Sequence, residues 1–259
     1  MIVQACINGA RPDDFHPRLP TTIDAIADDA ASVVAAGAAE LHVHPRGADV
    51  HPRGADVHPR GGDGKESLAA VSDTVAAIRR ACPGTLVGVS TGAWIEGDPE
   101  RTRQAIRQWH VLPDYASVNL SESDAPAVMQ LLREKGVGIE AGLASVADAE
   151  RFVSLNDHGR VLRVLIELDH EQGFPLARET FNGIVDVLAR AKVSRPILLH
   201  GFDGTVWPFV ELARERFYTT RVGLEDGKHL PDGTVARDNA ALVAAAVGIF
   251  QRPGGAARK

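Results

Sequence analysis

Two histidines one residue apart close a short apolar run, Glu40-Leu41-His42-Val43-His44. Side chains of a β-strand alternate between its faces, so the two imidazoles share one face and Leu41 and Val43 the other. Neutral imidazole nitrogens suit zinc, and a catalytic zinc takes about three protein ligands and keeps one position open. A lone His-x-His fits equally well two hydrogen-bonded histidines at a strand end, so the question is whether the chain supplies a third ligand. The stretch Arg221-Val222-Gly223-Leu224-Glu225-Asp226-Gly227 offers one. Extended backbone there places Arg221, Gly223 and Glu225 on one face, and Gly223 leaves space for a metal or a substrate. His42, His44 and Glu225 would then form an open three-ligand zinc site, flanked by Arg221 and Asp226. Taken alone, Glu225 reads just as well as a salt-bridge partner of Arg221.

Hydrophobic periodicity supplies the frame that must bring these residues together. Eight β-like runs, Ile2–Asn8, Ala39–His44, Thr85–Ser90, Tyr115–Leu120, Val137–Glu140, Val161–Glu167, Pro196–His200 and Thr219–Glu225, alternate with helical stripes. Ile23, Ile26, Ala30 and Val33 recur at helical spacing, as do Leu68, Val71, Val75 and Ile78 behind Ser67 as a cap. Asp98-Pro99-Glu100 reads as a cap followed by proline at the first helical position. Eight βα units with no linker between them predict a single-domain (β/α)₈ TIM barrel over residues 1–259. In each strand one parity is apolar and should face the helices. The other ends in Asn8, His42 with His44, Ser90, Asn119, Glu140, Glu167, His200 and Glu225. Strand ends are wetter than strand middles, but histidines and carboxylates gathered at the mouth of a barrel also predict a ligand or metal site.

Composition narrows the class. The chain has 259 residues, 44% of them hydrophobic, and a formal net charge of −6, with no basic run except the terminal Arg258-Lys259. A nucleic-acid partner is therefore not expected. Two cysteines without metal-type spacing suit a reducing compartment. No stretch approaches the ~18 apolar residues of a membrane span, and the first residues lack a basic flank, so a cytoplasmic protein is expected. One segment is unusual. The heptad beginning at His44 is repeated from His51 and imperfectly from His58, which makes a tandem-repeat loop of residues 44–64 after the second strand. That exceeds the usual βα connection. It reads as a duplicated loop at the pocket face, with a lid or extra ligands from His51 and His58 as the alternative.

These motifs together resemble the zinc-dependent β-keto acid cleavage enzymes, the family that includes 3-keto-5-aminohexanoate cleavage enzyme. The resemblance covers almost the whole chain. It rests on the His-x-His with its glycine-rich loop and Lys65-Glu66-Ser67, on Gly88-Val89-Ser90-Thr91-Gly92, on Ala116-Ser117-Val118-Asn119-Leu120, and on Arg221 to Asp226. It implies zinc on His42, His44 and Glu225 and a base at Asp226, held by Arg221 and assisted by Glu140. It implies substrate contacts from Ser90, Thr91, Ser117 and Asn119, and acyl transfer in which a β-keto acid and acetyl-CoA exchange carbon skeletons through Claisen and retro-Claisen steps. The partners implied are a small β-keto acid and a CoA thioester, and the assembly a homo-oligomer, a tetramer. Where the aminohexanoate enzyme carries a glutamate that reads an amine, this chain has Asn8-Gly9-Ala10-Arg11, and Arg11 should favour an anionic or neutral substrate tail.

Two other classes remain in view. A metal-dependent hydrolase of amidohydrolase type also uses His-x-His, but on its first strand, and it would turn over without CoA. A barrel that only binds a metabolite would keep the pocket and tolerate loss of Asp226.

Overall fold

Strict alternation along short strands is what allows a sheet to close with one face on helices and the other on itself. In a computed structural model, which describes residues 2–47, 65–156, 158–168 and 173–252, eight parallel strands follow one another around a closed barrel. They are β1 (Val3–Cys6), β2 (Glu40–Val43), β3 (Leu86–Ser90), β4 (Tyr115–Asn119), β5 (Gly138–Leu143), β6 (Arg163–Leu168), β7 (Ile197–Gly201) and β8 (Thr219–Val222). The helices are α1 (Ile23–Ala35), α2 (Val71–Ala81), α3 (Ala93–Glu96), α4 (Pro99–Gln108), α5 (Ala125–Glu134), α6 (Val146–Ser154), α7 (Gly173–Arg190), α8 (Val206–Arg216) and α9 (Asn239–Gln251). Each strand is followed by a helix, with α3 a short extra turn before α4. The (β/α)₈ single-domain expectation holds. The tandem-repeat loop lies outside the described residues from position 48 to 64, and so do His51 and His58.

The apolar parity packs as the pattern requires. Val3 and Ala5 of β1, Leu41 and Val43 of β2, and Val87 and Val89 of β3 join one core with Ile26, Ala30 and Val33 of α1 and with Val71, Val75 and Ile78 of α2. Burying each such side chain contributes about 1.5–3 kcal/mol, so the helical ring and the barrel hold each other. Helix starts follow their capping residues: Thr22, Asp98, Ser145 and Asp238 each accept a backbone N–H three residues on. Ser67 does not. It precedes a 3₁₀ turn, Leu68–Ala70, that leads into α2, and its side chain makes no capping bond.

The opposite parity fills the barrel with polar groups that pair with one another. Gln4 Nε2 lies 3.2 Å from Glu40 Oε1, 2.9 Å from the Tyr115 hydroxyl and 3.1 Å from Glu140 Oε1. Arg163 pairs with both Glu40 and Glu140, with Nε 2.6 Å from Glu140 Oε1. All of these residues are buried, so their charges are compensated inside a closed shell rather than by water. Space for the Tyr115 ring comes from Gly88 on the neighbouring strand, where a Cβ would fall 1.9 Å from Cε2 of the ring. The tyrosine hydroxyl in turn donates to the Leu41 carbonyl at 2.6 Å.

Candidate metal centre at the barrel mouth

β2 delivers its two histidines as strand geometry predicts. His44 just passes the strand end, and Asn8 fixes it there: its Oδ1 accepts the His44 N–H at 2.9 Å and its Nδ2 donates to the His44 carbonyl at 2.8 Å. The two Nε2 atoms of His42 and His44 stand 3.2 Å apart. Glu225 Oε1 lies 3.3 Å from His44 Nε2. Ligand atoms of all three residues fall within 4.8 Å of one another. A tetrahedral zinc with bonds of about 2.0–2.1 Å would hold its donors roughly 3.3 Å apart, so the two measured separations fit the edges of such a polyhedron. The set His, His, carboxylate also matches an open catalytic site in chemistry. The described residues therefore fit a divalent metal.

Glu225 reaches this point by a route the strand register did not predict. β8 ends at Val222, and the chain turns, with Asp226 N donating to the Gly223 carbonyl at 2.9 Å. Gly223 leaves no space for a ligand: a Cβ there would fall 1.8 Å from the Cys6 carbonyl oxygen, so the glycine serves a close backbone approach of this turn to β1. Gly9, at φ +57°, takes a left-handed conformation, and a Cβ on it would come within 2.3 Å of Glu225 Cγ. The glutamate side chain thus passes over a glycine.

The electrostatics prepare the ligands. Burial drives the His42 imidazole well below its ordinary pKa, which keeps it neutral and able to bind a cation. Burial would lower His44 too, but the carboxylates of Glu225 and Glu66 outweigh it and raise the imidazole to about 10, so a cation binding at Nε2 must displace a proton held by those same carboxylates. Glu66 Oε2 sits 2.8 Å from His44 Nδ1, the outer partner that orients a metal-binding imidazole. Burial would raise the Glu225 carboxyl, yet Arg221 and His44 hold it well below the carboxylate range. Beside it, Arg221 is fully buried and reaches three acids: Glu225 at 3.0 Å, Glu167 at 3.1 Å and Asp226 at 3.3 Å. His200 bridges the outer two, with Nε2 3.2 Å from Glu167 and Nδ1 3.3 Å from Asp226. Asp226 Oδ2 is buried with no hydrogen-bond partner among the described residues.

A pocket of about 200 Å³ opens over this cluster, bounded by Arg11, Trp94, Phe202 and Glu167 as well as the histidines, Arg221 and Glu225. Ser90, Ser117 and Asn119 face it as expected. Thr91 does not, because its hydroxyl donates to the Ser117 carbonyl at 2.7 Å. Glu140 is also displaced from the expected rim: fully buried, it belongs to the ion-pair network with Arg163, and its Oε2 lies 3.9 Å from His42 Nδ1. Arg11 lines the pocket but spends its guanidinium on the chain itself. Nε donates to the Glu225 carbonyl at 2.9 Å, Nη2 to the Asp226 carbonyl and Asp203 carboxylate at 3.1 Å each, and the group stacks on Phe15. It clasps the turn that carries Glu225. Glu66 and Trp94 went unassigned in the sequence because neither belongs to a strand; Glu167 and His200 were visible only as polar strand ends.

A family model described as beta-keto acid cleavage enzyme matches residues 1–257. No curated protein matches the chain. Among solved structures, apo ObcA is 21% identical with a TM-score of 0.66 over 88% of this chain and 61% of that one. A binary complex of ObcA with oxaloacetate gives 21%, 0.65, 88% and 62%. The chain thus spans about three fifths of the ObcA length. A 3-hexulose-6-phosphate synthase from Salmonella typhimurium is 15% identical with a TM-score of 0.57, covering 96% of this chain and 98% of that one. These structures share the barrel fold.

Proposed function

Because the chain belongs to the beta-keto acid cleavage enzyme family, we propose that it breaks the carbon–carbon bond between the keto carbon and the carboxylate-bearing carbon of a small β-keto acid at this metal centre. Water adds to the keto carbon, so that the acyl fragment leaves as a carboxylate and the carboxylate-bearing carbon takes up a proton to leave as acetate. The family's activity is a cleavage, which corrects the acetyl-CoA-dependent acyl transfer, the transferase class and the acetyl-CoA co-substrate expected from the sequence. The candidate metal-binding site and the barrel fold stand.

His42, His44 and Glu225 would hold the cation, and when bound it supplies Lewis-acid polarisation of the keto group and neutralises the carboxylate charge. The remaining chemistry belongs to the chain. Arg221 holds Glu225 and Glu167 below the ordinary carboxylate range, against the opposing effect of burial, and its own burial makes that field strong. Asp226, held through Oδ1 by Arg221 and His200 with Oδ2 left without a partner among the described residues, is the acid–base group that takes or returns the proton at the carbon released by cleavage. Glu167, 29% exposed and on the pocket wall, connects that buried acid to the substrate side through His200. Ser90, Ser117 and Asn119 orient the substrate's oxygens.

The convergence of three ligand atoms within 4.8 Å of one another, two of the separations being 3.2 and 3.3 Å, carries this reading. Its test is to offer metal-loaded protein a panel of β-keto acids with varied tails and follow loss of substrate. Consumption that stops on chelation and in His44→Ala supports it. Cleavage that continues unchanged after the metal is stripped, or no consumption of any β-keto acid by the metal-loaded protein, overturns it.

A further inference from the structure

The two oxygens of Glu225 have different surroundings. Oε1 faces His44 Nε2 at 3.3 Å and Arg221 at 3.0 Å. Oε2 lies 2.7 Å from the sulfur of Cys6, the last residue of β1, which is fully buried. The two residues are also tied through the backbone, since Glu225 N donates to the Cys6 carbonyl at 3.4 Å. A thiol carries one proton and is a donor toward an ionised carboxylate. Cys6, Glu225 and Asp226 lie close enough together to suggest a second cation. The Arg221 guanidinium already occupies that ground, however, 3.0 Å from one carboxylate and 3.3 Å from the other, and two positive charges would compete for the same oxygens.

We propose that Cys6 is a positioning residue of the metal centre: its S–H holds Oε2 of Glu225, so that Oε1 alone turns to the cation and a coordination position stays open for substrate. This rests on the metal-centre reading above. Without the thiol, the freed Oε2 can swing round and bind the cation as a second oxygen from the same carboxylate, filling the position a substrate oxygen needs. Outer partners of metal ligands typically change affinity by about 10–100-fold when removed.

Cobalt(II) substitution of the full chain, with Cys6→Ala and Cys6→Ser beside the wild type, tests this. Affinity is read by competition with a chromophoric chelator, coordination by the visible absorption of cobalt, and folding by melting of the metal-free proteins. Expected results are a wild-type spectrum of four-coordinate cobalt without a sulfur-to-metal charge-transfer band, and a weaker, higher-coordinate spectrum with affinity shifted roughly tenfold in Cys6→Ala. Cys6→Ser, which keeps a donor, should restore the wild-type spectrum. A Cys6→Ala spectrum and affinity equal to wild type, a serine variant no better than alanine, or a thiolate band in the wild type would each overturn the proposal while leaving the metal centre intact. Wild-type protein that takes up no cobalt would instead remove the metal centre itself.

Discussion

Replacing Arg163 by methionine should damage stability more than any single change at the pocket rim. The guanidinium pairs with Glu40 and Glu140, and the side chains of all three are at most 7% exposed. Breaking a buried ion pair by removing one partner costs about 3–5 kcal/mol, because the other charge stays behind without water. Here two carboxylates would be stranded. Gln4 can still donate to both, and the lost cation–π contact with Tyr115, 5.1 Å to the centroid, adds about 0.5 kcal/mol or more. A net loss near 4 kcal/mol is the reasonable middle, or roughly 8–16 °C in a chain of this size. Circular-dichroism melts with chelator present, so that metal linkage does not intrude, measure it. Stranded carboxylates bind protons more tightly when folded than when unfolded. The defect should therefore shrink near pH 5 and grow near pH 8, and a second change, Glu140→Gln, should recover part of it by removing one stranded charge. An Arg163→Met protein that melts within about 2 °C of wild type, or whose defect deepens toward acid, would refute the view that this network is held by charge compensation.

Three further outcomes follow from particular contacts. Asp226→Asn should bind zinc as wild type does but lose β-keto acid turnover by roughly 10²–10⁴-fold, read by metal titration beside a cleavage assay. Glu66→Ala removes the carboxylate on His44 Nδ1 and should weaken zinc by about 10–100-fold in chelator competition while the metal-free protein melts normally. Asp29 is raised from 3.8 to about 6, mainly by burial and partly opposed by its bond from Asn239. A raised folded pKa gives stability that is present below the unfolded pKa and lost as pH rises through about 6. Asp29→Asn should accordingly melt above wild type at alkaline pH, by up to roughly 3 kcal/mol, and meet it in acid.

Strands were legible because a half-buried sheet forces a period of two, and eight such periods leave few other architectures. Side-chain parity also put His42 and His44 on one face, since β2 is regular to its end. The same reasoning reached Glu225 for an incomplete reason: three residues beyond β8, it is aimed by a turn, by Gly9 beneath it and by the Arg11 clasp. Turn geometry has no periodicity to read. Arg11 lines the pocket, but its bonds to the Glu225 and Asp226 carbonyls and to Asp203 follow from tertiary placement that no spacing shows. Glu66 was invisible as the partner of His44, being 22 positions away across a repeated loop whose length has no bearing on where its ends return. Thr91 and Glu140 differ from Ser90 and Asp226 only in their partners, which are tertiary facts.

The fit between Gly88 and Tyr115 constrains how this barrel can vary. A methyl group on β3 would collide with the ring, and a smaller residue on β4 would leave Gln4 and the Leu41 carbonyl short of a hydroxyl. Neither site can drift alone without an immediate defect. Homologous chains that carry a bulkier residue at the glycine should therefore have traded the aromatic for something small, with a compensating polar group elsewhere, so that the two positions are inherited as a matched pair.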